Sequence, residues 1–208
     1  VEDALLWVRQ ALALSSAQLT QCGNGSLERR PHDVVATSWG GLAALASLCT
    51  DNAAPWASVG SLHLVAPGIF TSRGLLGRIA SKALFDTLRG RGAFSGKFDL
   101  AIRPADFVAS DELLAWVAND PARNQFVSAR FLRTTAGLKK LVRERVGVSL
   151  SIPVYLHLPE SDPVINLGRT EEFLGPVVRQ VFRYPSAVHA LVLQHPELLS
   201  RNIAAVVA

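Results

Sequence analysis

A chain of 208 residues with 49% hydrophobic and 18% charged side chains has the apolar material for a sizeable core. That excludes a disordered, acidic or low-complexity protein, because such chains lack the burial that offsets ordering entropy. The longest nearly apolar stretch, Gly40 to Cys49, is about half of the roughly 20 residues a membrane span needs. No secretory signal pattern opens the sequence, and two cysteines make no disulfide framework. With nothing to signal an oxidising compartment, Cys22 and Cys49 are expected to be free thiols and the protein cytoplasmic.

The formal net charge of +4 is unevenly distributed. Residues 68–150 carry 14 Lys and Arg against 7 Asp and Glu, and the rest carries 7 against 10. The basic excess reads either as a solvated helical face or as a surface attracting anionic lipid or an anionic substrate. No nucleic-acid partner is expected, since the basic residues are scattered among aliphatic ones rather than clustered with aromatics.

In chain order, Val1 to Ala17 has apolar residues at helical spacing (Leu5, Val8, Leu12) behind Glu2 and Asp3 in the first turn, predicting a helix. Gln21 to Pro31, with Asn24-Gly25-Ser26, reads as a loop. Asp33 to Thr37 is a short β-branched strand, Gly40 to Cys49 a buried helix, and Ser61 to Ala66 a second strand closed by Pro67-Gly68. Three helical patterns follow: Leu75 to Leu88, Ser110 to Val117 and Pro121 to Arg145. Ile152 to Leu158 is the third strand, Arg169 to Leu174 starts a helix, Val177 to Tyr184 is the fourth strand, and Pro196 to Val207 is the last helix. Strands alternating with helices predict an α/β fold with a mostly parallel sheet covered on both faces.

The most informative segment is Val34-Val35-Ala36-Thr37-Ser38-Trp39-Gly40-Gly41. A strand ends, a serine follows with small residues two before and two after, and a helix begins. This is the context of a nucleophile elbow, in which a tight turn exposes the serine Oγ at the carboxyl end of a strand. Close approach of the chain there explains Ala36 and Gly40. The backbone N–H of Trp39 is the candidate oxyanion donor. The plainer alternative for Ser38 is an ordinary helix cap.

A serine nucleophile needs a base, and the base needs an orienting carboxylate. His32 precedes the first strand, and His63 and His157 lie inside strands as structural histidines. His189, in the loop after the fourth strand, is the favoured base, with His195 as the alternative. Asp162, directly after the third strand, is the favoured acid, with Glu160 as the backup.

These residues stand in the order Ser, Asp, His, and three loops at three strand ends agree. The chain resembles the α/β-hydrolase superfamily, and within it the monoacylglycerol lipase/lysophospholipase group. The elbow carries the resemblance first. Further similar stretches are Asp106 to Glu112, then Asn119-Asp120-Pro121 to Ser128-Ala-Arg-Phe-Leu132, Ile152-Pro-Val with Asp162-Pro-Val-Ile-Asn166 and Arg169-Thr170, and Tyr184-Pro-Ser-Ala-Val-His189. The resemblance implies a core of residues 1–67 and 151–208 with a helical cap, 68–150, inserted between two core strands. It implies ester hydrolysis through an acyl-enzyme on Ser38, Asp162 and His189, with no metal or organic cofactor and a small lipid-like ester as substrate.

Other readings remain on the same fold: a proline-iminopeptidase-like enzyme, since Ser38-Trp39-Gly40 is similar to that elbow, or an acyltransferase. Two departures matter. Ala36 replaces the family's first elbow glycine. The family's early strands and the loop supplying a second oxyanion donor have no counterpart before Val1. A missing N-terminal segment is therefore expected to complete the fold, and residues 1–208 alone could be a catalytically incomplete piece with an open sheet edge beside Ser38. A fluorophosphonate probe is expected to label Ser38 in the full-length protein, and this piece weakly or not at all. Trp39 is expected to line an acyl pocket; Trp7, Trp56 and Trp116 are expected to be packing residues.

Overall fold

The computed structural model describes residues 2–22, 31–50, 56–88, 97–147 and 150–207. Helix α1 (Glu2–Cys22) leads to strand β1 (His32–Thr37), helix α2 (Ser38–Thr50) and strand β2 (Val59–Val65). Helix α3 (Arg73–Leu88), strand β3 (Lys97–Asp99), a 3-10 turn (Pro104–Asp106), helix α4 (Asp111–Asn119), strand β4 (Phe126–Ser128) and helix α5 (Ala129–Arg145) come next. Strand β5 (Val154–Pro159), helix α6 (Leu167–Leu174), strand β6 (Gln180–Tyr184), helix α7 (Leu191–Gln194) and helix α8 (Pro196–Val207) complete the order.

Four strands form one sheet in the order β1-β2-β5-β6, every pairing parallel. The α/β class expected from the alternation of elements is what the structure has. Strands β2 and β5 are central and almost wholly buried, so they read as apolar runs rather than alternating ones. Strand β1 pairs with β2 alone among the described residues, and Val35 on it is 44% exposed. The chain between β2 and β5 contributes no strand to this sheet; β3 and β4 make a separate antiparallel ribbon.

Helix α2 is apolar all round, and Gly41 to Leu48 are all buried. A helix of that kind needs cover on every side. It packs against α1, β1, β2 and α5, and Leu138 and Val142 of α5 are fully buried. Through α5 the segment between β2 and β5 is fastened over the helix that begins at Ser38.

Several expectations are corrected by local chemistry. Pro121 to Arg145 is not one helix. Asp120 accepts hydrogen bonds from Ala122 N (2.9 Å, side chain) and Arg123 N (3.1 Å, carbonyl), and Asn124 Oδ1 accepts from Phe126 N (3.0 Å). These Asx-type turns compete with helix formation. The helix starts only after Ser128, whose Oγ caps it by accepting from Phe131 N at 3.1 Å. Strand β6 begins at Gln180, not Val177, because Val177 N and Val178 N still donate to Leu174 O at the end of α6. Helix α1 runs on to Cys22. The rest of the Gln21 to Pro31 loop, apart from Pro31, lies outside the described residues, as does the Cys22 side chain. Cys49 is a free thiol, pushed up to about 11 by burial despite the nearby Arg145. Trp56 is buried as expected, but Trp7 and Trp116 are 60% and 58% exposed. Trp7 lies along the open side of β1, and α4, which carries Trp116, buries only Val117.

The buried histidines of β2 and β5 are satisfied by one continuous chain of hydrogen bonds crossing all four strands. Asn202 Nδ2 donates to Tyr184 Oη (3.0 Å), Tyr184 Oη meets His157 Nδ1 (2.7 Å), His157 Nε2 meets His63 Nδ1 (3.0 Å), His63 Nε2 meets Ser61 Oγ (3.0 Å), and Ser61 Oγ donates to Asp33 Oδ1. The ends fix the direction. A carboxylate only accepts and an amide nitrogen only donates, so each neutral imidazole carries its proton on Nε2 and accepts at Nδ1.

Candidate active site

Ser38 lies where β1 ends and α2 begins, with φ of 48°. A non-glycine residue in the left-handed region carries roughly 1–3 kcal/mol of strain and needs surroundings that hold it. Gly68 N donates to Ser38 O at 2.9 Å, tying the elbow to the turn after β2. The N–H of Trp39 falls in the first turn of α2, where backbone donors have no acceptor within the helix and the helix dipole favours negative charge.

The glycine that close packing requires is not the expected one. A Cβ on Gly40 would meet nothing within 4 Å, whereas one on Gly41 would stand 3.1 Å from Ala36 O and 3.3 Å from Pro67 Cβ. The helix leans on the two strand ends at Gly41, while Gly40 faces the open side of β1. Gly41→Ala should therefore destabilise the fold by about 1–3 kcal/mol, and Gly40→Ala should be neutral or slightly stabilising, as read from denaturant unfolding midpoints.

His189 sits in the loop between β6 and α7, beginning at Ser186 with φ of 62°. Its Nε2 is 2.7 Å from Ser38 Oγ and its Nδ1 is 2.7 Å from Asp162 Oδ2. The side chains of His189 and Asp162 are 3% and 0% exposed. Asp162 Oδ1 accepts from Val164 N (2.7 Å) and Ile165 N (3.1 Å), so the carboxylate is fixed by its own loop and turns Oδ2 to the ring. Since the carboxylate only accepts, Nδ1 carries the proton and Nε2 is free to take one from Ser38. The acid and histidine loops are joined directly, Ser161 N donating to Ala187 O at 2.9 Å.

The structure thus brings together Ser38, Asp162 and His189. The alternatives lie elsewhere: Glu160 is 3.7 Å from Arg183, and the carbonyl of His195 accepts from Leu199 N at 3.0 Å in the first turn of α8. His32 faces the groove of about 400 Å³ beside β1. The Trp39 indole is turned to α5, its Nε1 donating to Thr135 Oγ1 at 2.9 Å and its ring 5.2 Å from that of Phe131. No group of three or more metal-ligating side chains occurs among the described residues.

The groups that hold the histidine loop were not expected from the sequence. Val188 N donates to Gln194 Oε1 (2.9 Å) and Ala190 N donates to Phe107 O (2.9 Å), so His189 is pinned on both sides. The Phe107 ring lies 5.8 Å from that of His189. Gln194 could have been suspected from its short distance in sequence; Phe107 carries no local signal.

No family model matches the chain, and no curated protein matches it by sequence. Its structure is similar to those of the Paleococcus ferrophilus monoacylglycerol lipase (TM-score 0.66, 13% identity, 96% of this chain and 73% of that one) and a soluble variant of the Saccharomyces cerevisiae monoglyceride lipase (TM-score 0.69, 14% identity, 99% and 66%). It is also similar to an esterase from a Rhodococcus species (TM-score 0.53, 14% identity, 83% and 63%). The chain spans about two thirds to three quarters of the length of the two lipases.

Proposed function

We propose that this chain, which has the α/β-hydrolase fold in the form found in monoacylglycerol lipases, is a serine ester hydrolase. Its substrates are small lipid-like carboxylic esters of the monoacylglycerol or lysophospholipid class. The observation that carries the proposal is the unbroken Ser38–His189–Asp162 series, with 2.7 Å at each link.

Ser38 Oγ attacks the ester carbonyl carbon as its proton passes to His189 Nε2. The imidazolium so formed is stabilised by Asp162, and the developing oxyanion is held by the Trp39 N–H at the α2 N-terminus. Collapse of the tetrahedral intermediate expels the alcohol, which leaves with the proton from Nε2, and the acyl group remains on Ser38. Water then attacks the acyl carbon as its proton passes to the same nitrogen, and the second tetrahedral intermediate breaks its bond to Ser38 Oγ, which takes the proton back from Nε2 as the carboxylic acid leaves.

An aminopeptidase on the same elbow would need carboxylates to receive a substrate amine. Asp99 and Asp106, between α3 and α4, are instead occupied by Lys82 (3.5 Å) and by Arg78 and Arg103, which favours the ester reading. The net basic excess of residues 68–150 suits an anionic headgroup or lipid surface. Among the described residues no helix is long and apolar enough to cross a membrane.

The test is a substrate panel on the full-length protein: a medium-chain monoacylglycerol, a lysophospholipid, p-nitrophenyl esters and prolyl arylamide. Ester turnover at least 100-fold above arylamide turnover is expected. Arylamide cleavage without ester cleavage would overturn the assignment.

A further inference from the structure

Asp106 is the most unusual acidic residue outside the triad. It is 1% exposed, yet its carboxylate receives four hydrogen bonds from cationic residues. Arg78 of α3 grips it with both terminal nitrogens (Nη1 to Oδ1 3.0 Å, Nη2 to Oδ2 2.8 Å). Arg103 adds its backbone N–H (2.7 Å) and its guanidinium (3.2 Å). Burial alone would raise this carboxyl, but the bonds from Arg103 and Arg78 outweigh it and hold the group below its ordinary value.

Such a clamp fixes the backbone that follows it. Phe107 N and Val108 N both donate to Pro104 O (2.9 and 3.3 Å), and Val108 is fully buried. The rigid turn ends in Phe107, the residue whose carbonyl holds Ala190 N and whose ring lies against the His189 imidazole. Leaving the buried Asp106 carboxylate without its arginine partners costs far more than losing a surface bridge. A shift of the catalytic imidazole of about 1 Å is enough to cost roughly 100-fold in rate.

We infer that Asp106, clamped by Arg78 and Arg103, is a positioning residue that acts through Phe107 to hold His189 between Ser38 and Asp162. The segment between β2 and β5 is then a working part of the triad as well as its cover. This inference rests on the triad reading above.

The experiment uses the full-length protein with 15N-labelled histidine. It follows the downfield Nδ1–H signal of His189, assigned by its loss in Asp162→Ala, together with fluorophosphonate labelling rates and ester kinetics. Asp106→Asn, Arg78→Gln and Phe107→Leu should each broaden that signal, slow labelling by about 10- to 100-fold and lower kcat with KM changed less than about threefold. Arg78→Lys keeps the charge but not the paired geometry, and should recover part of the rate. If Asp106→Asn fails to fold, Arg78→Gln compared with Arg78→Lys carries the test. A wild-type signal and labelling rate in the folded variants would overturn the inference. A wild-type protein that never labels, with a His189 signal still sensitive to Phe107→Leu, would overturn the hydrolase reading and leave the positioning role standing.

Discussion

Ester hydrolysis by Ser38→Ala or His189→Ala should fall by roughly 10⁶-fold in kcat, and by Asp162→Asn by roughly 10⁴-fold. The size of the effect follows from the way the three groups act as a unit. Without His189 the hydroxyl of Ser38 has no acceptor for its proton at the moment of attack. With Asn at position 162, the ring can turn its proton toward Ser38 and cease to be a base. The three losses should not add: Ser38→Ala with His189→Ala should be no slower than either alone. Ser38→Ala should unfold within about 1 kcal/mol of wild type, whereas His189→Ala leaves the buried Asp162 carboxylate without its ring partner and should be less stable. Relief of the strain at φ 48° is not available to Ala, which occupies the same backbone. Steady-state kinetics with a p-nitrophenyl ester checks the rates, and an additive double variant would contradict the unit.

The second large effect is on stability in acid. His157 is fully buried and is pushed down to about 3, chiefly by desolvation and then by the neighbouring His63. His63 is also lowered by burial, against the opposing pull of Asp33. In the unfolded chain a histidine titrates near 6.5. Between about pH 6.5 and 3 the unfolded state therefore binds a proton that the folded state refuses. Stability is fully present above 6.5 and lost as pH falls, at about 1.4 kcal/mol per pH unit for His157 alone. By pH 4 the loss is about 3 kcal/mol, a large share of the 5–15 kcal/mol that holds an ordinary domain together.

The hydrogen-bond chain explains why the proton is refused. His157 Nδ1 already accepts from Tyr184 and His63 Nδ1 already accepts from His157, so a second proton on either ring would face a donor. Denaturant unfolding from pH 7.5 to 4.5 should show a steep acid slope, reduced by about one proton in His157→Gln even though that variant is less stable at neutral pH. Both histidines should show the Nε2–H tautomer in 15N spectra. An unchanged slope would mean that His157 takes up a proton in the folded protein.

What the sequence could disclose follows from where each interaction lies. Ser38, Asp162 and His189 were legible because each falls just past a strand pattern, and parallel strands bring their carboxyl ends to one edge. The alternatives were separated by side-chain partners: Glu160 faces Arg183, and only Asp162 is aimed at the histidine. Gly40 and Gly41 could not be ranked, since the difference lies in how α2 leans on Ala36 and Pro67. The order of donors from Asn202 to Asp33 is set by contacts across four strands and leaves no periodic trace. The ribbon of β3 and β4 escaped because three-residue strands have no pattern to read. Phe107 sits beside an acidic residue in a segment that looks like surface until Arg78 is seen to be wrapped around Asp106.

Hydrolysis at this site depends above all on Ser38 being a nucleophile driven by His189. Fluorophosphonate labelling of the full-length protein with peptide mass mapping tests it most directly. One adduct is expected, on the peptide containing Ser38, absent in Ser38→Ala and slowed by several orders of magnitude in His189→Ala. No adduct, an adduct on another serine, or labelling indifferent to His189 would contradict it.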